Sequence, residues 1–231
     1  MFGSVCWMEG TTTPGSRSSS EKRRAAPPPA LPEETLVAIE THLKRRETRR
    51  DELQERARQL RRQAQFVMHQ LHQGRRLEAA LNDVRSGARE LSASQREEGV
   101  SESGAVTAAL QECVEAILLD ATFQGGPLPG PTDLGVEPEP YLLGLGDLIG
   151  ELRRRVLQEL SADELPEAER LLALMEELTR ALARFEAPRA IVALKPKQDT
   201  AKALVERTRG DLTLARLLGR ARLPARPAEE E

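Results

Sequence analysis

Aromatic residues are nearly missing from this chain. One Trp, one Tyr and four Phe stand among 231 residues, with only two cysteines, Cys6 and Cys113. So few rings exclude a row of stacking platforms for nucleic-acid bases. They also argue against a β-sandwich or barrel, whose strands draw on aromatic and β-branched residues. Two cysteines cannot build a disulfide framework, which points to a reducing, intracellular setting. No apolar run nears the ~20 residues needed to cross a bilayer. Met1 to Met8 lacks the charged leader and cleavage region of a secretory signal. The expected location is therefore the cytoplasm, with no membrane partner. Net charge is only −3 although 31% of residues are charged. Any hold on nucleic acid must come from local patches, and these are mostly Arg, which suits forked contacts with phosphate.

What is present is Leu and Ala, and both favour helices. Residues 1–30, rich in Ser, Thr, Gly and Pro and ending in Pro27-Pro28-Pro29, read as a disordered tail. From Pro32, apolar residues recur at steps of three and four: Leu36, Ile39, Leu43, Leu53, Ala57, Leu60, Ala64, Val67 and Leu71. Arg46 and Arg50 interrupt the row, and Gly74 ends it. This pattern predicts one unusually long amphipathic helix. Leu77, Leu81, Val84, Ala88 and Leu91 mark a second helix, closed by a polar break at Gly99–Gly104. A third runs from about Ala105 to Thr122. Gly125 to Pro131 is a firm stop within a loop of about a dozen residues. A fourth helix begins near Glu139. Ser161 and Glu164 have the spacing of a capping box opening a fifth, which ends near Phe185. The sixth covers roughly Lys197–Leu218, and residues 221–231 read as a second disordered tail. The expected class is all-α: a single-domain bundle of six to seven helices over residues 31–220.

Two acid pairs break the pattern. Glu112 and Glu115 lie in the middle of the third helix, which is apolar or small nearly all round, as in helices buried on several sides. Burying an ionised carboxylate costs several kcal/mol, roughly, unless something offsets it. Two carboxylates together must share a proton or a cation. The fourth helix carries Gly144, Gly146 and Gly150, each costing ~1 kcal/mol against Ala, which suggests close approach by another backbone or a ligand. Asp147 and Glu151, four apart, share one of its faces. An all-oxygen cluster of carboxylates suits Mg²⁺, with Mn²⁺ as the alternative. The ordinary reading of such pairs, a solvated helix face, competes on even terms.

At these residues the chain resembles the translin family. The stretch Gln111-Glu112-Cys113-Val114-Glu115-Ala116 is similar to Gln-Glu-aromatic-Val-Glu-Ala of the translin-associated protein X branch. The stretch from Tyr141 to Leu152 is similar to that branch's Tyr-Leu-Leu-Gly-Val-Ala-Asp-Leu-Thr-Gly-Glu-Leu. The likeness spans roughly Glu34 to Leu218. Cys113 stands for an aromatic residue and Pro140 for an acid. The resemblance implies a seven-helix bundle, a hollow octameric shell and an Mg²⁺-dependent endoribonuclease acting on single-stranded RNA. Glu112, Glu115 and Asp147 would be its metal-binding catalytic residues, with Glu151 a fourth ligand. The archaeal members, which build the shell from one chain type, look most similar, and imply a homo-oligomer here. The other branch, translin itself, lacks the acid pair of the third helix and binds single-stranded nucleic acid, RNA or DNA, without that site.

Other residues carry weaker signals. Arg58, Arg61 and Arg62 on the first helix, and Arg153 and Arg154 after the second acid pair, are candidate phosphate contacts, although solvated basic faces look the same. His69 and His72 suit the negative end of the first helix, with a proton shuttle as the alternative. Cys113 reads as a small core residue. Three other functions compete: a binding-only protein, a nucleotide pyrophosphohydrolase of the MazG type, and a plain helical scaffold. A ferritin-like di-iron site is disfavoured because no Glu-x-x-His motif occurs.

Overall fold

Among the described residues the chain forms seven helices and no strand. The structure is a computed structural model that describes residues 31–98, 104–186 and 191–221. In order the helices are α1 (Glu33–His72), α2 (Glu78–Glu98), α3 (Gly104–Phe123), α4 (Pro131–Leu134), α5 (Pro138–Ser161), α6 (Leu165–Leu182) and α7 (Leu194–Ala221). The all-α expectation is met. The expected tails, apart from Ala221 at the end of α7, and the break at Gly99–Gly104, apart from Gly104, lie outside the described residues.

The contacts divide the chain after Leu43. In the first unit, the described part is the start of α1, where Leu36, Val37, Ile39 and Leu43 are all exposed. The second unit, from Lys44 onward, contains the bundle. There the same three-and-four spacing buries Leu53, Ala57, Leu60, Ala64, Val67 and Leu71. One periodic row thus has two fates. α3 is buried on nearly every side, as its composition requires, and α5 packs against α3, α6 and α7. α2 lies against α3 and α6 against α7.

Three local expectations change. Ser161 does not cap α6. It is the last residue of α5, and its hydroxyl donates to the Leu157 carbonyl at 2.8 Å. That bond to the preceding turn competes with capping, and the chain turns instead through Asp163 at φ 62°. α6 then starts from Glu164 with no side-chain cap. The long loop after α3 holds the short helix α4, where the Asp133 carboxylate accepts the Gly130 amide at 2.8 Å. Tyr141 secures the same loop by donating its hydroxyl to the Pro129 carbonyl at 3.1 Å. Leu77 precedes α2 and is exposed.

Candidate acidic centre

α3 and α5 meet where α5 lacks a side chain. A Cβ on Gly144 would lie 2.7 Å from the Gln111 carbonyl oxygen and 2.8 Å from a Val114 methyl. A Cβ on Gly146 would lie 2.9 Å from the Lys197 Cβ. These two glycines have the predicted cause, close approach. Gly150 does not, since its nearest neighbour, Leu204, would stand at an ordinary 3.9 Å.

This crossing brings the four predicted acids into one electrostatic group. Glu115 is 9% exposed. Burial first, then the charges of Asp147, Glu151 and Glu112, push its carboxyl up to about 8, with Lys197 pulling the other way. Each of the other three carboxylates leans on a basic group of the chain. Arg61 donates its Nε to Glu112 at 2.6 Å. Lys197 donates to one oxygen of Asp147, and the Gln111 amide donates to the other. His72 Nε2 stands 2.5 Å from Glu151 Oε2. That last approach is close without being aligned as a hydrogen bond. Both ring nitrogens of His72 and that Glu151 oxygen are buried and lack hydrogen-bond partners. His72 ends α1, as the sequence placed it, and its side chain is only 5% exposed.

A cavity of about 180 Å³ opens on this group, lined in part by Met68, His69, His72, Glu112, Glu115 and Arg154. A larger hollow, about 510 Å³, is lined by Thr107, Ala108, Gln111, Glu139 and Leu143 among others. It shares Gln111 with the centre but contains none of the four acids.

The predicted phosphate contacts separate. Arg61 and Arg154 belong to the centre, Arg154 Nη1 lying 3.9 Å from Glu151. Arg58 and Arg62 are exposed and face Glu55 on their own helix. Arg153 turns to α7, where it donates to Thr208 at 2.7 Å and pairs with Asp211 at 2.9 Å. Cys113 is fully buried, and burial pushes its thiol up to about 12.

Four carboxylates are the donor set of a hard divalent cation, and the unsatisfied Glu151 oxygen and His72 nitrogens add buried polar atoms with nothing to bind. Yet among the described residues no three His, Cys, Asp or Glu side chains are gathered tightly enough to ligate one ion. The set fits in kind, and a divalent ion there would compete with Arg61 and Lys197 for Glu112 and Asp147. Lys197 and Gln111 were not among the residues singled out from the sequence. Gly146 was the available signal for the lysine, since a helix glycine marks where another side chain enters. Gln111 lies four residues before Glu115, on the same face.

The translin family model matches residues 48–208, more than half of the chain. A curated, uncharacterized protein of Methanocaldococcus jannaschii is 39% identical over 103 residues. That match covers 44% of this chain, and the chain spans only 46% of the relative's length. Among solved structures, one described as an AfC3PO–duplex RNA complex is similar at TM-score 0.74 and 30% identity, covering 83% of this chain and 100% of that one. A crystal structure of AfC3PO gives TM-score 0.72 and 29% identity over 82% of this chain and all of that one. Apo-NeC3PO, at 19% identity and TM-score 0.70, covers 81% of this chain and 99% of its own and shares the fold.

Proposed function

The chain belongs to the translin family, and from that premise we propose that it is a metal-dependent endoribonuclease whose acidic centre holds Mg²⁺ or Mn²⁺ on Glu112, Glu115, Asp147 and Glu151. One observation carries this reading: Glu115 is buried facing three other carboxylates at the crossing of two helices. A scaffold would gain stability by replacing them with apolar residues. A bound divalent ion would neutralise the centre, polarise a phosphodiester and make a water acidic enough to attack it.

The chain's own residues supply the rest. Gln111 orients Asp147 from α3, and Lys197 reaches the same carboxylate from α7. Arg61 and Arg154 border the centre and supply guanidinium groups for phosphate. The neighbour described as bound to duplex RNA supports RNA as the ligand, while the resemblance to the family favours single strands, with single-stranded DNA as a second ligand. Assembly as a homo-oligomer, an octamer in the family pattern, in the cytoplasm completes the reading.

The test uses labelled single-stranded and duplex RNA with Mg²⁺, Mn²⁺ or a chelator. Cleavage is expected with either ion and is lost with the chelator. Replacing Glu112 and Glu115 together by Ala abolishes cutting and spares binding. A wild-type chain that binds RNA and never cuts it would establish the second reading, a binding-only protein. That alternative draws its support from the carboxylates already committed to Arg61 and Lys197.

A further inference from the structure

Both oxygens of Asp147 are engaged, one by the Gln111 amide and one by the Lys197 ammonium. A divalent cation that takes this carboxylate meets the like charge of the Lys197 ammonium, whereas the neutral Gln111 amide can stay hydrogen-bonded to a ligating carboxylate. Gln111 is half-buried in the middle of α3, with Leu110 and Cys113 near it in sequence buried. Lys197 ends a flexible four-carbon stem, reaches the centre from the first turns of α7, and its side chain is 29% exposed. The ammonium therefore has somewhere to go. Its placement is built into the fold, because the stem crosses α5 where Gly146 has no Cβ. An ordinary residue there would meet the lysine Cβ at 2.9 Å. α5 thus places a missing side chain and an acid next to each other, the first admitting the lysine and the second receiving its charge.

We propose that Lys197 is the resident cation of the acidic centre: it holds Asp147 until a divalent ion takes that carboxylate, and its released ammonium then contacts the phosphate of the bound RNA. The inference rests on the reading of the centre as a divalent-cation site. It accounts for acids that have the right chemistry but are not gathered for ligation. Coupling follows from it: the ion that fills the centre also frees a positive charge for the substrate. Lysine suits this exchange better than arginine, whose planar fork commits to a carboxylate through paired bonds.

The experiment titrates full-length protein with Mn²⁺ alone, followed by calorimetry and by the paramagnetic signal of free Mn²⁺. Removing a competing positive charge strengthens cation binding, so Lys197→Met is expected to bind Mn²⁺ about tenfold more tightly than wild type. The same variant is expected to cleave RNA at least about tenfold more slowly at saturating Mn²⁺, a loss of the order of one charged contact. Lys197→Arg, which keeps the charge and holds the carboxylate through paired bonds, binds Mn²⁺ no more tightly than wild type. Lys197→Gln gives the same ordering if the Met variant loses its fold. A merely structural lysine would leave Mn²⁺ affinity unchanged or lower it, and either result overturns the inference. Tighter binding with undiminished cleavage overturns the phosphate half. If wild type binds no Mn²⁺ at all, the divalent-cation reading fails and this inference with it. If wild type binds and cuts while Lys197→Met matches it in both, only the role of Lys197 is lost.

Discussion

At neutral pH Glu115 holds a proton that an exposed glutamate would lose, because burial disfavours its charge and Asp147, Glu151 and Glu112 then add repulsion. The carboxyl ionises near 4.5 in the unfolded chain and near about 8 in the folded one. Between those values the folded protein binds more protons than the unfolded one, so stability falls as pH rises and levels off above the upper value. The full loss is at most about 5 kcal/mol. Urea melts of metal-free protein at pH 5, 7 and 9 should show the decline, and Glu115→Gln should flatten it. An unchanged pH slope in that variant would mean that some other group carries the effect. If the centre holds a divalent ion as proposed, the ion would displace this proton, so affinity for it should rise with pH and level off above about 8.

At the scale of helices, the packing of α3 on α5 turns on Gly144. Gly144→Ala drives a methyl against the Gln111 carbonyl and should cost about 1–3 kcal/mol, as overpacking does. Gly150→Ala meets only Leu204 at 3.9 Å and should gain about 0.5–1 kcal/mol from helix propensity. Thermal melts of the two variants should therefore move in opposite directions, and a shared direction would refute the account of α5. The same two glycines show how far the sequence could be read. Helical periodicity is local, so the six long helices, the buried character of α3 and the four acids were legible, while the four-residue α4 was too short to show a period. A mid-helix glycine says that something comes close without saying what. Lys197 lies 50 residues from Asp147, and only the packing of α7 on α5 pairs them. The capping-box pattern at Ser161 and Glu164 failed for a similar reason. The hydroxyl had a rival carbonyl one turn back, and a spacing rule does not weigh rivals.

For the molecule as a whole, the first half of α1 poses the question of assembly. Leu36, Val37, Ile39 and Leu43 repeat the spacing that buries Leu53, Leu60 and Val67 further along, yet they stay in solvent. Each fully covered side chain of this kind contributes roughly 1.5–3 kcal/mol, so a row of them left open is a strong tendency toward association. With a homo-oligomer proposed, the expected solution mass by light scattering is a multiple of the chain's own. Replacing Leu36 and Leu43 together by Glu should lower that mass. It should leave the helix content unchanged, because neither residue belongs to the core of the second unit. The acids of the centre come from α3 and α5, so the dissociated variant also tests whether cutting needs the assembly. Retained Mn²⁺ binding with lost cleavage would assign the shell to RNA capture, and retained cleavage would assign the whole reaction to one chain. A wild-type protein that runs as a monomer would remove the homo-oligomer from the reading altogether.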